Sequence, residues 1–241
     1  MLKVRGLNKY FDDKQVLYDV SFCVPEGKIV GFIGHNGAGK TTTLKSIVGI
    51  YPIDNNVVSL QDVDLAASPV ACKSKMACLP DTPCLYESMS CIEYLTFMAD
   101  IYKVDRSIAI QRIESLAQEL SIFDNLNEPI SSLSHGMQQK IAIIGALIHE
   151  PKLLVLDEPF VGLDPIATHF LKNKMRHMCE EGASVLFSSH VLEVVENLCD
   201  ELIVIKEGKI VANGDTKQLV SSSGNLETYF LGMQEGELDD A

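Results

Sequence analysis

The sequence has no apolar run long enough to cross a lipid bilayer. Its longest uninterrupted apolar stretch is Ile141 to Ile148, whereas a spanning helix needs roughly 20 apolar residues. The first residues, MLKVRGLNKYF, contain neither the apolar region nor the small-residue cleavage site of a signal peptide. We therefore predict a cytoplasmic protein; if it reaches a membrane, another protein must hold it there.

Basic side chains are scarce as well. The 241 residues include 20 lysines and arginines against 33 aspartates and glutamates, which gives a formal net charge of -13. Such a surface repels the phosphates of nucleic acids and the headgroups of anionic lipids. We predict that nucleic acid is not a partner of this protein.

Paired cysteines of the kind that bind zinc are missing. None of the seven cysteines forms a C-x-x-C pair, and the spacings of six, six and seven between Cys72 and Cys91 fit no standard zinc pattern. The bland interpretation is a set of free thiols in a reducing cytosol. We therefore do not expect metal–thiolate chemistry.

What the sequence does contain is an alternation of strand and helix patterns. The patterns predict strands near 16–22, 28–33, 153–156 and 183–187, a strand pair near 57–65 and a last strand pair towards the end, with helices from Lys40 to about Ile50, within 90–126 and from Gly136 to His149. Wholly apolar strands that alternate with helices indicate a parallel sheet covered on both faces.

No linker or repeat divides the chain. We predict one α/β domain over 1–220, with an antiparallel β subdomain at its N-terminus and a helical subdomain inserted at about 82–135. The remaining segment, 221–241, ends in EGELDDA. We predict a solvated acidic tail there; a regulatory role is the alternative.

A phosphate-binding motif follows the second predicted strand. Residues 34–41 read GHNGAGKT, a full G-x-x-x-x-G-K-T pattern between a buried strand and a helix. Glycines allow successive N–H groups to point at an anion, and the helix N-terminus adds partial positive charge. We predict a P-loop in which Lys40 reaches the β- and γ-phosphates and the Thr41 hydroxyl binds Mg²⁺. The predicted nucleotide-binding residues of this loop are Gly34, Asn36, Gly37, Ala38, Gly39, Lys40, Thr41 and Thr42.

Two carboxylates end the apolar strand near 153–156. Ligands of open α/β sheets gather at the carboxyl ends of the strands, so Asp157 and Glu158 should face the nucleotide. We predict that Asp157 contacts Mg²⁺ through water. Glu158, one residue further on, is predicted to be the general base for the attacking water. The alternative is that the two carboxylates are merely solvated residues at the end of a strand.

A third element identifies a family. The segment Leu133–Gln138, which reads LSHGMQ, is similar to the LSGGQ signature of the ABC ATPases; we call it the signature segment. It departs from that pattern at His135 and Met137. The resemblance implies that Ser134 and the backbone of Gly136, at a helix N-terminus, contact the γ-phosphate held by the opposite subunit. Two ATP molecules would then lie within a head-to-tail dimer.

Three further matches follow the order of the family. The segment Gly162–Pro165 resembles the D-loop, in which Asp164 would lie at the dimer interface. The sequence Ser-Ser-His ending at residue 190 resembles the switch motif, which implies that His190 hydrogen-bonds the γ-phosphate and aligns Glu158 with water. Phe11 falls at the position of the aromatic residue that stacks on adenine, with Tyr10 as the alternative.

One position departs informatively from the family. Asp81 aligns with the glutamine that touches Mg²⁺ and relays the nucleotide state to the membrane partner. Its carboxylate still offers oxygen to the metal, but the γ-phosphate would repel it unless Mg²⁺ lies between them. Acidic residues here resemble a variation found among export-type cassettes.

Together the resemblance covers about residues 1–220 and implies an ATP-hydrolysing subunit of an ABC membrane transporter. The permease would be a separate chain, and the dimer could be homomeric or pair with a sister subunit. The favoured direction of transport is export, partly because of the stretch 226–230.

One rival interpretation is a soluble ABC ATPase acting on ribosomes or DNA, which the single set of motifs and the acidic charge disfavour. A nucleotide sensor without hydrolysis is the other, and the intact Lys40, Glu158 and His190 disfavour it.

Overall fold

The computed structural model describes residues 1–221 together with Leu226 and Thr228. Its strands are β1 (Leu2–Phe11), β2 (Lys14–Val24), β3 (Ile29–Ile33), β4 (Val58–Leu60), β5 (Val63–Asp64), β6 (Met76–Leu79), β7 (Leu153–Asp157), β8 (Ser184–Ser188), β9 (Glu201–Lys206) and β10 (Lys209–Asp215). Its α-helices are α1 (Lys40–Ile47), α2 (Pro69–Lys73), α3 (Cys91–Ile101), α4 (Arg106–Glu119), α5 (His135–Leu147), α6 (Pro165–Glu180), α7 (Leu192–Leu198) and α8 (Thr216–Ser221), and short 3₁₀ turns cover Phe123–Asn125 and Ile130–Ser132.

Two sheets organise these elements. The larger sheet has the order β10-β9-β3-β8-β7-β6, and its strands are parallel except for β10 at one edge. The smaller sheet is antiparallel, with the order β2-β1-β4-β5. The mainly parallel sheet and the N-terminal antiparallel sheet confirm the predicted fold class.

The central strands of the larger sheet, β3, β8 and β7, are buried on both faces. In β7, Leu154 and Leu156 pack with the core formed by the helices, whereas Leu153 and Val155 pack with the core formed by the small sheet and α1. Because neither face of a central strand meets water, its sequence is a continuous apolar run rather than an alternating one. This is the physical reason why the parallel strands could be recognised from sequence.

The helical pattern near 90–126 forms the two α-helices α3 and α4. A capping box at Ser90 and Glu93 starts α3, and the side chain of Asp105 caps α4 by accepting hydrogen bonds from its first N–H groups. Between them Lys103 adopts a left-handed backbone conformation with φ of 56°, which breaks the helix. Both helices pack against α5 through the larger hydrophobic core.

The sequence patterns missed or misplaced some elements. Helix α1 ends at Ile47, before the predicted Ile50, because Gly49 turns the chain with φ of 70°. Strand β6 was not predicted, although Met76–Leu79 is an apolar run like 153–156; its pairing with β7 shows that it is a strand. Helices α2, α7 and α8, which are only five to seven residues long, were not predicted either.

Two expectations concern residues at the end of the chain. The acidic tail 221–241 and the stretch 226–230 lie outside the described residues, apart from Ser221, Leu226 and Thr228. Among the residues that are described, no helix is both long enough and apolar enough to span a membrane.

His149 joins the helical segment to the larger sheet. Its ring stacks on Tyr102 with centroids 3.5 Å apart, and its Nε2 lies 3.2 Å from the carbonyl oxygen of Met76 in β6. Burial lowers the pKa of His149 to about 4. The folded protein therefore keeps this imidazole neutral at pH values where the unfolded chain protonates it.

We expect this difference to make the fold sensitive to acid. Since the unfolded chain binds the proton first, the free energy of unfolding should fall as the pH drops from about 6.5 to about 4, by roughly 2 kcal/mol after allowance for partial exposure. His149→Phe keeps an aromatic ring against Tyr102 but cannot titrate. Urea unfolding at several pH values should give a shallower acid slope for this variant, and equal slopes in the two proteins would contradict the assignment.

Candidate nucleotide-binding site

The loop between β3 and α1 has the backbone of a phosphate cradle. Gly37 and Gly39 have φ values of 81° and 110°, a backbone conformation that residues with a side chain adopt only with strain. A Cβ atom at Gly34 would lie 2.3 Å from the carbonyl oxygen of Ile205, so the loop can follow this path only with glycine there. The first turn of α1 contains no acidic residue that would repel an anion.

Lys40 lies inside this loop. Its ammonium donates hydrogen bonds to the carbonyl oxygens of Gly34, at 2.7 Å, and of His35, at 3.2 Å. Burial lowers the pKa of Lys40, and the negative charges of Glu158 and Asp157 oppose that shift. The two carboxylates are therefore close enough to act electrostatically on the lysine of the loop.

The other loop residues take positions along the same turn. Asn36 is exposed at the tip, while Ala38 is buried beneath it. Thr41 is exposed and Thr42 half-buried in the first turn of α1. A hydroxyl oxygen at the helix start and a carboxylate oxygen at a strand end are hard donors of the kind that Mg²⁺ prefers, so Thr41 and Asp157 fit this ion.

Strands β7 and β8 bring their carboxyl ends together. Asp157 pairs with Ser188 in the parallel ladder, and the Ser188 hydroxyl donates a hydrogen bond of 2.5 Å to Oδ1 of Asp157. The same hydroxyl accepts the N–H of Glu158 at 3.0 Å. Glu158 has a left-handed backbone with φ of 48°, and this bond to Ser188 helps to hold it in that strained conformation.

Glu158 and His190 form the contact that the predicted roles require. Nδ1 of His190 lies 2.8 Å from Oε2 of Glu158, and the backbone N–H of His190 lies 3.3 Å from the same oxygen. The carboxylate is mostly buried and the histidine ring is more than half exposed. The ring can therefore orient the carboxylate while one of its edges faces solvent.

A cavity of about 380 Å³ lies beside His190. Its lining comes from the P-loop, with Gly34, His35 and Asn36, and from the end of β8 and the start of α7, with Ser189, His190 and Leu192. A cleft at the carboxyl ends of parallel strands is the position where α/β sheets bind ligands. The structure thus brings the P-loop and Ser188–His190, which we call the switch segment, to one cleft.

Two predicted residues, Asp81 and Phe11, lie outside the lining of this cleft. Asp81 is exposed, two residues after the end of β6, and β6 is the neighbour of β7 in the sheet. Phe11 ends β1, and its ring meets that of Tyr51 edge to face at 5.2 Å. Tyr10, the alternative to Phe11, is 56% exposed, and Phe11 is 39% exposed.

The signature segment lies at the start of α5. Ser134 is the N-cap of this helix, where its hydroxyl accepts the N–H of Met137 at 3.3 Å. Gly136 is in the first turn and faces the D-loop, because a Cβ atom there would lie 3.1 Å from the carbonyl oxygen of Gly162. Asp164 in turn caps α6 by accepting the N–H of Ala167 at 2.8 Å.

Sequence reasoning missed several residues of this region. Ser188 was noted only as part of a motif, although its hydroxyl bridges Asp157 and Glu158. Two others were not singled out at all: Tyr51, whose ring meets that of Phe11, and Lys140, which forms an ion pair with Asp164. Their contacts join residues far apart in the chain, and no local pattern signals them.

The fold and the cleft define a P-loop nucleotide-binding protein. The family described as "ABC transporter" matches residues 17–161. The chain therefore belongs to the ABC transporter family of ATP-binding proteins, as the signature segment predicted.

Known proteins resemble the chain over nearly its whole length. The "ABC-type transporter ATP-binding protein EcsA" of Bacillus subtilis (strain 168) is 34% identical over 240 residues, covering 100% of this chain and 94% of that protein. The "Nod factor export ATP-binding protein I" of Burkholderia lata is 32% identical over 218 residues, covering 90% and 72%. The solved "Structure of ATP binding subunit of ABC transporter" superposes with a TM-score of 0.92 at 33% identity, covering 97% of this chain and 99% of that one.

Proposed function

We propose that this protein hydrolyses ATP as one subunit of an ABC transporter and that a separate permease uses the energy to move a substrate, with export the favoured direction. The observation that carries the proposal is the pairing of Glu158 with His190 at 2.8 Å beside the P-loop cleft. A protein that only senses nucleotide has no need for an oriented carboxylate at this point.

The proposed reaction is in-line attack of water on the γ-phosphoryl group of ATP, with catalysis mainly by positioning and electrostatics. Glu158 accepts the proton of the attacking water, while His190 holds that carboxylate through Oε2 and hydrogen-bonds the γ-phosphate. The ammonium of Lys40 leaves its two backbone carbonyl partners for the β- and γ-phosphate oxygens, which bind a cation more strongly. ADP and inorganic phosphate are the products.

Mg²⁺ is the proposed metal of this site. Thr41 and Asp157, the latter through water, are the proposed contacts, with Asp81 as a further oxygen donor. When bound, the ion neutralises charge on the β- and γ-phosphates. The hydrogen bond from Ser188 holds the carboxylate of Asp157 in one orientation for this role.

The proposed nucleotide sites lie between two subunits arranged head to tail. The cleft is lined by the P-loop and the switch segment, whereas Ser134 and Gly136 lie beside the D-loop at the start of α5. A helix N-terminus of this kind is suited to an anion. We propose that the partner subunit supplies it, with Asp164 at the same interface and Phe11 against the adenine ring.

The permease is the proposed membrane partner, and it would hold the protein at the cytoplasmic face. The similar solved structure is that of an "ATP binding subunit", and this supports a division of labour between chains. We propose that the helical segment at about 82–135, together with Asp81, passes the nucleotide state to the permease. The export direction is supported by the name of the Nod factor relative and by the resemblance around Asp81.

A phosphate-release assay tests this function. Purified protein should release inorganic phosphate from Mg-ATP, and its permease, purified in detergent or reconstituted in vesicles, should change that rate. The control is the same preparation with EDTA, which should stop the release. If no phosphate is released by the protein alone or with its permease, the proposed hydrolysis is contradicted. If the permease leaves the rate of phosphate release unchanged, the proposed coupling is contradicted.

A further inference from the structure

Two segments that the proposed function assigns to the subunit interface touch each other within one chain. Gly136, in the signature segment, could not carry a side chain without crowding the D-loop, because its Cβ would lie 3.1 Å from the carbonyl oxygen of Gly162. Gly162 itself has φ of 80°, and a Cβ there would lie 3.5 Å from the ring of His135. The start of α5 and the D-loop are therefore in close backbone contact.

An ion pair, of which only the lysine is buried, joins the same two segments one turn further along α5. Nζ of Lys140 lies 2.7 Å from Oδ2 of Asp164. Residues four apart on a helix share a face, so Lys140 and Gly136 both point at the D-loop. The other carboxylate oxygen, Oδ1, accepts the N–H of Ala167 at the start of α6. Asp164 is thus held by two helices through its two oxygens.

The burial of this pair is unequal. The Lys140 side chain is 10% exposed and that of Asp164 is 44% exposed. A lysine is seldom buried unless a partner compensates its charge, and here Asp164 is that partner. The hydrogen bond from Lys140 is also the main reason why the pKa of Asp164 lies below its usual range. The ammonium of Lys140 thus stabilises the ionised form of this carboxylate.

We propose that Lys140 is a positioning residue, which holds the D-loop against the N-terminus of α5 so that both segments engage the partner subunit as one rigid unit. This inference rests on the proposed function, in which Ser134, Gly136 and Asp164 serve nucleotide sites between subunits. Lys140 acts through those groups and contacts no phosphate. Its loss should impair closure of the dimer while leaving ATP binding to the P-loop intact.

The test compares Lys140→Met, which keeps the length of the side chain, with Lys140→Arg, which keeps its charge. Each is measured in the full chain and again with Glu158→Gln, a change that should stop turnover and let the closed dimer accumulate. Lys140→Met should weaken the ATP-dependent dimer on the order of 10-fold and lower kcat by a similar factor. The Kd of the monomer for ATP should stay constant, and Lys140→Arg should recover most of the loss.

The matched control is Lys152→Met, an exposed lysine just before β7 at the opposite end of that strand. It makes the same change of charge and should leave both dimerisation and kcat unaltered. A second variant, Asp164→Asn, removes the charge but keeps a good N-cap for α6. If Lys140 acts through Asp164, combining Lys140→Met with Asp164→Asn should add little to the effect of either change alone.

The outcomes separate the two proposals. Wild-type dimerisation and kcat in Lys140→Met, or fully additive losses in the double variant, would overturn the role of Lys140 while leaving the proposed function intact. Absence of phosphate release from the wild-type protein would overturn both. If thermal unfolding shows that Lys140→Met does not fold, the other two variants test the proposal. Weakened dimers of Asp164→Asn together with normal dimers of Lys140→Arg would support it. Any other pair of results would contradict it.

Discussion

Glu158→Gln should slow steady-state phosphate release by roughly 10²–10⁴-fold, the usual contribution of a general base. The amide is nearly isosteric with the carboxylate and can still contact His190, but it cannot accept the proton of the attacking water. ATP binding through the P-loop should be unaffected. The variant should therefore hold uncleaved ATP and remain in the closed dimer.

Three measurements check this expectation. Phosphate release gives the rate, chromatography of the bound nucleotide shows ATP rather than ADP, and size-exclusion chromatography with Mg-ATP gives the dimer fraction. Glu114→Gln is the matched control, because Glu114 is an exposed acidic residue on α4 and should not affect turnover. Wild-type turnover in Glu158→Gln would rule out this residue as the base.

Two inactive variants should restore each other's activity when their subunits are mixed. Lys40→Met removes the cation of the P-loop. Ser134→Asp keeps a good N-cap for α5 but introduces a negative charge that repels the γ-phosphate. Each variant alone should be nearly inactive, because every site in its homodimer carries the defect.

The heterodimer differs because the two defects can fall in the same site. If each site combines the P-loop of one subunit with the signature segment of the other, one site receives both changes and the second receives neither. Random mixing of a symmetric dimer makes half of the dimers heterodimers, so about one quarter of wild-type phosphate release should return. Differently tagged subunits recovered together by affinity purification would demonstrate the exchange.

The control mixes Lys40→Met with the double variant Lys40→Met/Ser134→Asp, in which no combination yields an intact site. It should remain inactive. If the mixture of the two single variants releases no phosphate although the subunits have exchanged, the proposal that nucleotide is shared between chains is contradicted. Recovery in the control would point instead to contamination by an active ATPase.

The sequence predicted best those features that depend on neighbouring residues. The P-loop was recognisable because glycine, lysine and threonine at fixed spacing must follow a buried strand and open a helix. The parallel strands were recognisable because burial on both faces removes polar residues from them. Strand β6 was missed although its four residues are apolar too, and its pairing with β7 shows that it belongs to the sheet.

The geometry of the cleft needed the tertiary structure. Ser188 bridges Asp157 and Glu158 from 31 and 30 residues away, and this contact exists only because β8 lies beside β7 in the right register. The stack of His149 on Tyr102 and the meeting of Phe11 with Tyr51 depend in the same way on how distant segments pack.

The sequence by itself determined the fold class, the family and the identity of the residues that carry the proposed chemistry, since these follow from local spacing and from the burial of whole strands. Only the tertiary structure showed that His190 contacts Glu158. It also revealed Lys140, which no sequence pattern had indicated and which contacts Asp164. The physical reason is that side-chain contacts between elements depend on sheet order, strand register and the packing of helices, which are properties of the whole chain rather than of any segment.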